Sequence, residues 1–337
     1  MSKKRIVVIC PGRGTYTRET IKYLRDCNKD SASMIKWMDK ERKSKDKPSL
    51  TNLDSMQFKS KTHMSGENAS PLIYACSLKD FLTINQKKFD IVAITGNSMG
   101  WYTASTLAGV FTYKTGYHVI QTMGSMMRKN IIGGQIIYPI IDKEWQIDNN
   151  IKDKVLSEIQ STNAYISISL GGYIVIGAEQ KVLDKLLIKL PKIDQYPLQI
   201  PYHAAFHTPL LESISTSAFN RIPESYFNKP AIPLIDGLGN IWSPFSSNIS
   251  DLYHYTLGPQ VTSTYNFTKT ISVAIKEFCP DNLVLLGPGN TLGGAVGQIL
   301  IQNKWNGIDS KKTFSDKQLK DTYLISMGIN DQRKMVS

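Results

Sequence analysis

The stretch "FDIVAITGNSMGWYTA", Phe89 to Ala104, decides the fold. Its opening, "FDIVAIT", is a short apolar run with the character of a buried strand. It leads straight into Gly-x-Ser-x-Gly, formed by Gly96, Asn97, Ser98, Met99 and Gly100, and then into a helical pattern from Met99 to Leu107. A strand, this turn and a helix in succession have a mechanical meaning. The turn is so tight that small residues must flank the serine, and the hydroxyl then stands out at the carboxyl end of the sheet. The helix that starts there aims free backbone N–H groups at the same spot. Ser98 is therefore read as an activated nucleophile.

Working outward, "RIVVIC" (5–10) is another buried strand, stopped by the glycine turn "PGRGT". A helix is expected from about Thr17 to Cys27, a polar irregular excursion over 30–65, and a helix over 70–82. Strands alternating with helices imply a mainly parallel α/β sheet. The middle of the chain has another rhythm: a strand at 134–141, a helix at 151–161, strands at 164–169 and 172–177, a helix at 179–190 and a strand at 195–200. That order is β-α-β-β-α-β, the ferredoxin-like pattern. The sheet pattern resumes with "AIPLID" (231–236) and "NLVLLGPG" (282–289), a helix "TLGGAVGQILIQ", and an edge strand at 322–328. The expected fold class is α/β: an α/β-hydrolase-like large subdomain, residues 1–130 and 201–337, with a ferredoxin-like small subdomain, 131–200, inserted in it.

The chain has 337 residues, 41% hydrophobic and 20% charged, as an ordinary globular protein does. No apolar run is long enough to span a bilayer, and the start "MSKKRIVVIC" reads as a first strand instead of a signal peptide. Four cysteines, Cys10, Cys27, Cys76 and Cys279, are far apart. That spacing argues against a disulfide framework or a metal site and makes a reducing cytoplasm the default. The net charge of +12 is mostly scattered lysine. The densest run, "MDKERKSKDKPS" (38–49), mixes signs and reads as a solvated loop. No nucleic-acid motif accompanies it.

A serine nucleophile needs a base. Of five histidines, His63 and His118 read as surface or packing residues, and His254, among aromatics in "DLYHYTL", as structural. "YHAAFHTPLL" (202–211) holds His203 and His207. His207 precedes Thr-Pro, which can start a helix at the subdomain junction and fix the imidazole in place.

These residues resemble the malonyl-CoA:acyl-carrier-protein transacylase family, which includes the polyketide-synthase acyltransferases. "CPGRGTYT" is similar to the family's "FPGQGSQ", "GNSMGWYTA" to "GHSLGEYSA", "AFHTPLL" to "AFHSPLM", and "LLGPGNTLGG" to "EVGPGKVLTG". Four motifs in order span nearly the whole chain. The resemblance implies ping-pong acyl transfer from coenzyme A to an acyl carrier protein in fatty-acid or polyketide biosynthesis. It makes Ser98 the nucleophile and His207 the base, oriented by a backbone carbonyl. The backbone N–H groups of Arg13 and Met99 would form the oxyanion hole, where losing one donor typically costs ~3 kcal/mol. Gln260 matches a family glutamine in the substrate site. No cofactor is implied beyond the thioester substrate and the partner's phosphopantetheine. The acyl carrier protein and acyl-CoA are the expected partners, a ketosynthase is a further candidate, and nucleic acid and membrane are not.

The departures concern the acyl group. Family members that use malonyl groups carry an arginine 25 residues beyond the serine, and this chain has Met123 there. Arg128 is turned by about 140° around a helix at about 100° per residue, so it is expected to point elsewhere. Burying a carboxylate beside methionine is unfavourable by several kcal/mol, roughly. Met123 thus points to an acyl group without a free carboxylate, such as acetyl. The weaker alternative is that Arg13, where the family has glutamine, acts as a relocated carboxylate clamp, as opposed to facing solvent or a coenzyme A phosphate. Asn97 and Trp101 replace a histidine and a glutamate and are expected to alter the pocket wall, while Phe206 would crowd a branched acyl group. A hydrolase of the same fold, which clears acyl groups from carrier proteins, is the rival expectation.

Overall fold

The computed structural model describes residues 2–126 and 131–337. Among the described residues eleven strands form two sheets: β1 (Lys4–Cys10), β2 (Phe89–Gly96), β3 (Gly134–Pro139), β4 (Tyr165–Leu170), β5 (Tyr173–Ala178), β6 (Leu198–Gln199), β7 (Leu234–Ile235), β8 (Ile241–Trp242), β9 (Tyr265–Asn266), β10 (Asn282–Leu285) and β11 (Leu324–Ser326). The larger sheet has the order β11-β10-β1-β2-β7-β8. It is parallel except for β8, which returns antiparallel to β7 as a short hairpin absent from the sequence reading. Strand β11 is an edge, as expected. Ile6 to Cys10 of β1 are fully buried, which explains the unbroken apolar run: helices cover both faces of the sheet. Strands β1 and β2 lie side by side, with Cys10 opposite Gly96. The glycine turn after β1 and the serine turn after β2 therefore meet at one end of the sheet.

The inserted segment folds in the ferredoxin-like order β6-β3-β5-β4, all antiparallel. Helices Asn149–Thr162 and Gln180–Lys189 bury Val155, Ile159, Leu183 and Leu186 against Ile136 and Ile176 in a core of their own. Strand β9, from the larger part, pairs parallel with β4 and extends this sheet to five strands.

Three expectations fail near the N-terminus. The segment 17–27 is not an α-helix. Only Arg18–Thr20 forms a 3-10 turn, and Lys22 and Asp26 have φ of 68° and 57°. The backbone N–H groups of Tyr23 and Leu24 donate to the Asp54 carboxylate, at 3.0 and 2.9 Å, and Lys22 N donates to the Asp54 carbonyl. A distant carboxylate thus takes donors that a helix would use internally. The excursion over 30–65 is, conversely, helical: Lys29–Lys43, Leu50–Ser55 and Ser60–His63. Ile35, Met38, Leu50 and Leu53 bury its inner face. The run 38–49 is no solvated loop, because Arg42 is fully buried. Its guanidinium donates to Gln121 Oε1, Asn68 Oδ1 and the carbonyls of Pro48 and Glu67, pinning the excursion to helices Gly66–Phe81 and Tyr113–Ser125. His63 is buried too, stacked on Phe58 and bonded to backbone atoms of Lys59 and Leu53. Arg128 lies outside the described residues.

Candidate active site

The elbow is built by close approach. A Cβ on Gly96 would stand 2.2 Å from the Gly100 carbonyl oxygen, and one on Gly100 would stand 2.3 Å from the Cys10 oxygen. Only glycine fits either place, so the Gly-x-Ser-x-Gly spacing is a packing requirement of the β1–β2 edge. Ser98 has φ of 55°, the left-handed region that non-glycine residues avoid. The strained turn is held by the Asn97 N–H donating to the Cys10 carbonyl and by Tyr265 O–H donating to the Gly96 carbonyl.

Ser98 Oγ lies 2.7 Å from His207 Nε2. His207 Nδ1 lies 2.7 Å from the backbone carbonyl of Gln260, which can only accept. Nδ1 therefore carries the ring proton, and Nε2 offers its lone pair to the Ser98 hydroxyl. Gln260 Nε2 also donates to the Ser98 carbonyl at 2.9 Å, so one residue fixes both partners. Burial pushes the His207 pKa down to about 4, partly offset by the bond to the Gln260 carbonyl. An imidazole must be neutral to act as a base, and His207 is neutral above its pKa. We expect kcat/KM to stay level from neutral pH to about pH 5 and to fall only as the pH approaches about 4. A pH–rate profile, with circular dichroism confirming the fold at each pH, checks this; a midpoint near the ordinary imidazole value would contradict it.

The backbone N–H groups of Met99 and Arg13 donate to no group among the described residues. They flank Ser98 from the start of helix Gly100–Leu107 and from the turn after β1. This is the arrangement in which two preorganised donors stabilise an oxyanion.

A cleft of about 250 Å³ opens beside Ser98 between the two sheets. Met123, Phe206, Gln260, Asn97 and Arg13 all line it, with Ile168 and Val175 of the small sheet opposite. Asn97 Oδ1 is buried without a partner. Trp101 does not line the cleft, contrary to the sequence expectation. It is fully buried, donates from Nε1 to Thr256 Oγ1 at 3.1 Å and meets the Tyr255 ring edge-on. One step around the helix, Tyr102 takes the place on the wall.

Arg13 spans the cleft. Its Nη2 donates to the carbonyls of Met64 and Tyr202, each at 2.9 Å, and the guanidinium stands 5.4 Å over the Phe206 ring. Its Nε is buried without a partner. Burial lowers its pKa to about 10, so it is charged at neutral pH. His203, the other histidine of the 202–211 stretch, also lines the cleft and is bonded to Gln135 of β3. Its part in the site depends on residues far away in sequence, which no local signal reveals. Among the described residues no group of three His, Cys, Asp or Glu side chains is placed to hold a metal ion, and no helix is long and apolar enough to cross a membrane.

No model of a protein family matches the chain. Among curated proteins it is 23% identical, over 74% of its length and 80% of the relative's, to the polyketide biosynthesis malonyl-CoA-acyl carrier protein transacylase PksC of Bacillus subtilis. Among solved structures it superposes on the malonyl-CoA:acyl carrier protein transacylase of Helicobacter pylori with a TM-score of 0.76 and 16% identity, over 99% of this chain and 97% of the other. A type II polyketide-synthase malonyl-transacylase, solved in complex with its acyl carrier protein, gives a TM-score of 0.73 at 17% identity, with 99% of each chain covered. The fold is theirs nearly end to end, and the relatives found by sequence and by structure are malonyl-CoA:acyl-carrier-protein transacylases and polyketide-synthase acyltransferases, the family that the four motifs resemble.

Proposed function

We propose that this protein transfers a short acyl group from coenzyme A to an acyl carrier protein through an ester on Ser98. The observation that carries the reading is the run Ser98 Oγ, His207 Nε2, His207 Nδ1, Gln260 carbonyl, with two free backbone donors beside it. In the first half, Ser98 Oγ attacks the thioester carbon and its proton passes to His207 Nε2. The oxyanion meets the N–H groups of Met99 and Arg13. As the C–S bond breaks, the departing thiolate takes the proton back from Nε2. In the second half, the carrier's thiol gives its proton to Nε2 and attacks the ester carbon, and Ser98 leaves with that proton. The apolar walls limit the access of water to the ester.

The carrier protein as acceptor is supported by the names of the relatives and by the neighbour solved with its carrier. The net charge of +12 suits an acidic partner. For the acyl group, the charged Arg13 with its unpartnered Nε favours a carboxylate-bearing unit such as malonyl over the acetyl reading drawn from Met123. The test is to incubate the protein with malonyl-CoA or acetyl-CoA and a holo carrier protein and to follow the intact mass of both proteins. Acyl mass on Ser98 followed by its appearance on the carrier is the expected result. Net loss of acyl groups from the carrier with release of free acid would replace transfer by the hydrolase reading.

A further inference from the structure

His203 is a second imidazole in the cleft, and the transfer steps above make no use of it. A run of hydrogen bonds settles which nitrogen carries its proton. The Phe206 carbonyl can only accept, so the Ser167 hydroxyl donates to it at 2.7 Å. The Ser167 oxygen then accepts from Gln135 Nε2 at 2.6 Å. With the amide turned that way, Gln135 presents Oε1 to His203 Nδ1 at 2.8 Å, and Nδ1 must be the protonated nitrogen. Nε2 is left with a lone pair and accepts from no group among the described residues. Burial and the neighbouring positive charge of Arg13 keep the ring neutral, so this lone pair persists at neutral pH. The position is informative as well. Tyr202 is 41% exposed, whereas Ala204 and Ala205 are buried, so His203 stands where the wall turns inward from the surface toward Ser98.

A fixed acceptor on this path calls for a donor on the ligand. Short acyl groups, ionised malonyl included, have no N–H or O–H to give. The pantetheine arm has amide N–H groups and a hydroxyl, and it is shared by coenzyme A and the carrier protein. We propose that His203 Nε2 accepts a hydrogen bond from the pantetheine arm, holding the part of the substrate common to both half-reactions. This rests on the thioester-transfer reading above.

The test compares two acyl donors in the wild type, His203→Phe and His203→Gln. One donor is the acyl-CoA that loads Ser98, and the other is the S-phenyl thioester of the same acyl group, which has no donor on its thiol side. His203→Phe is expected to lower kcat/KM for Ser98 acylation by acyl-CoA about tenfold, the size of one hydrogen bond. Acylation by the S-phenyl thioester should change by less than about twofold on the same scale, which also shows that the variant is folded. His203→Gln keeps an amide that can serve both Gln135 and the ligand, and it should recover most of the loss. Equal losses with both donors would assign His203 a positioning role through Ser167 and Phe206 and overturn the proposal, as would no loss with either. A wild type that loads neither thioester would sink the transfer reading and this inference with it.

Discussion

Ser98→Ala is expected to remove acyl loading and carrier acylation by a factor on the order of 10⁴ to 10⁶. In the proposed transfer the oxygen is the group that forms and breaks the covalent bond, and among the described residues Ser98 is the side chain hydrogen-bonded to His207 Nε2, beside the free N–H groups of Met99 and Arg13. The substitution isolates chemistry from folding. Alanine keeps the Cβ, so the strain of φ 55° is unchanged, and the packing of Gly96 and Gly100 is untouched. What is lost besides the nucleophile is one hydrogen bond, which leaves the His207 lone pair unpartnered at a cost of about 1 kcal/mol. Thermal unfolding should therefore shift by only a few degrees, roughly, while intact-mass spectra show no acyl adduct. Carrier acylation retained above about one part in a hundred would be incompatible with a Ser98 ester, given the losses that removal of such a nucleophile produces.

The elbow was legible from sequence because its requirements are local. A strand ending in Gly96 and a helix starting at Gly100 leave no room for a Cβ at either place, and that demand is written as glycines at fixed spacing. The insertion was legible for a similar reason, since its strands and helices each carry their own periodicity. The failures have a common cause in long-range polar contacts. Thr17 to Cys27 has helical spacing, but Asp54 captures its backbone donors from across the fold. Arg42 looked solvated inside a mixed-charge run, and its burial depends on Gln121 and Asn68, far along the chain. The place of Trp101 inside the motif predicts it on the pocket wall. Its direction is set by Thr256 and Tyr255, which draw it into the core. In the site itself, the Ser98–His207 pair was readable from motifs, whereas the tautomer of His203 required Gln135, Ser167 and Phe206 together.

The same logic turns Met123 and Arg13 into one question. Arg13→Gln is expected to lower malonyl loading of Ser98 about a hundredfold while leaving acetyl loading within a few-fold, the size of a lost charge-assisted pair. Three observations support this. No carboxylate among the described residues forms an ion pair with Arg13, so the cation is held in the cleft by two carbonyls and an aromatic face alone. Its Nε is buried and unpartnered, a costly state that an incoming carboxylate would relieve. Finally, Nη1 lies 3.4 Å from where a Cβ on Gly66 would stand, and Gly66 packs directly on Gly124, the residue after Met123. The guanidinium thus sits close to the place that Met123 leaves uncharged. Glutamine retains the backbone N–H assigned to the oxyanion hole, so the substitution removes the side-chain charge and leaves the hole intact. Steady-state loading of both acyl-CoA substrates by wild type and variant separates the alternatives. Equal losses for malonyl-CoA and acetyl-CoA would place Arg13 on the coenzyme A phosphates. A wild type that loads acetyl and refuses malonyl would restore the reading taken from Met123, with Arg13 an uncompensated cation kept for its bonds to Met64 and Tyr202.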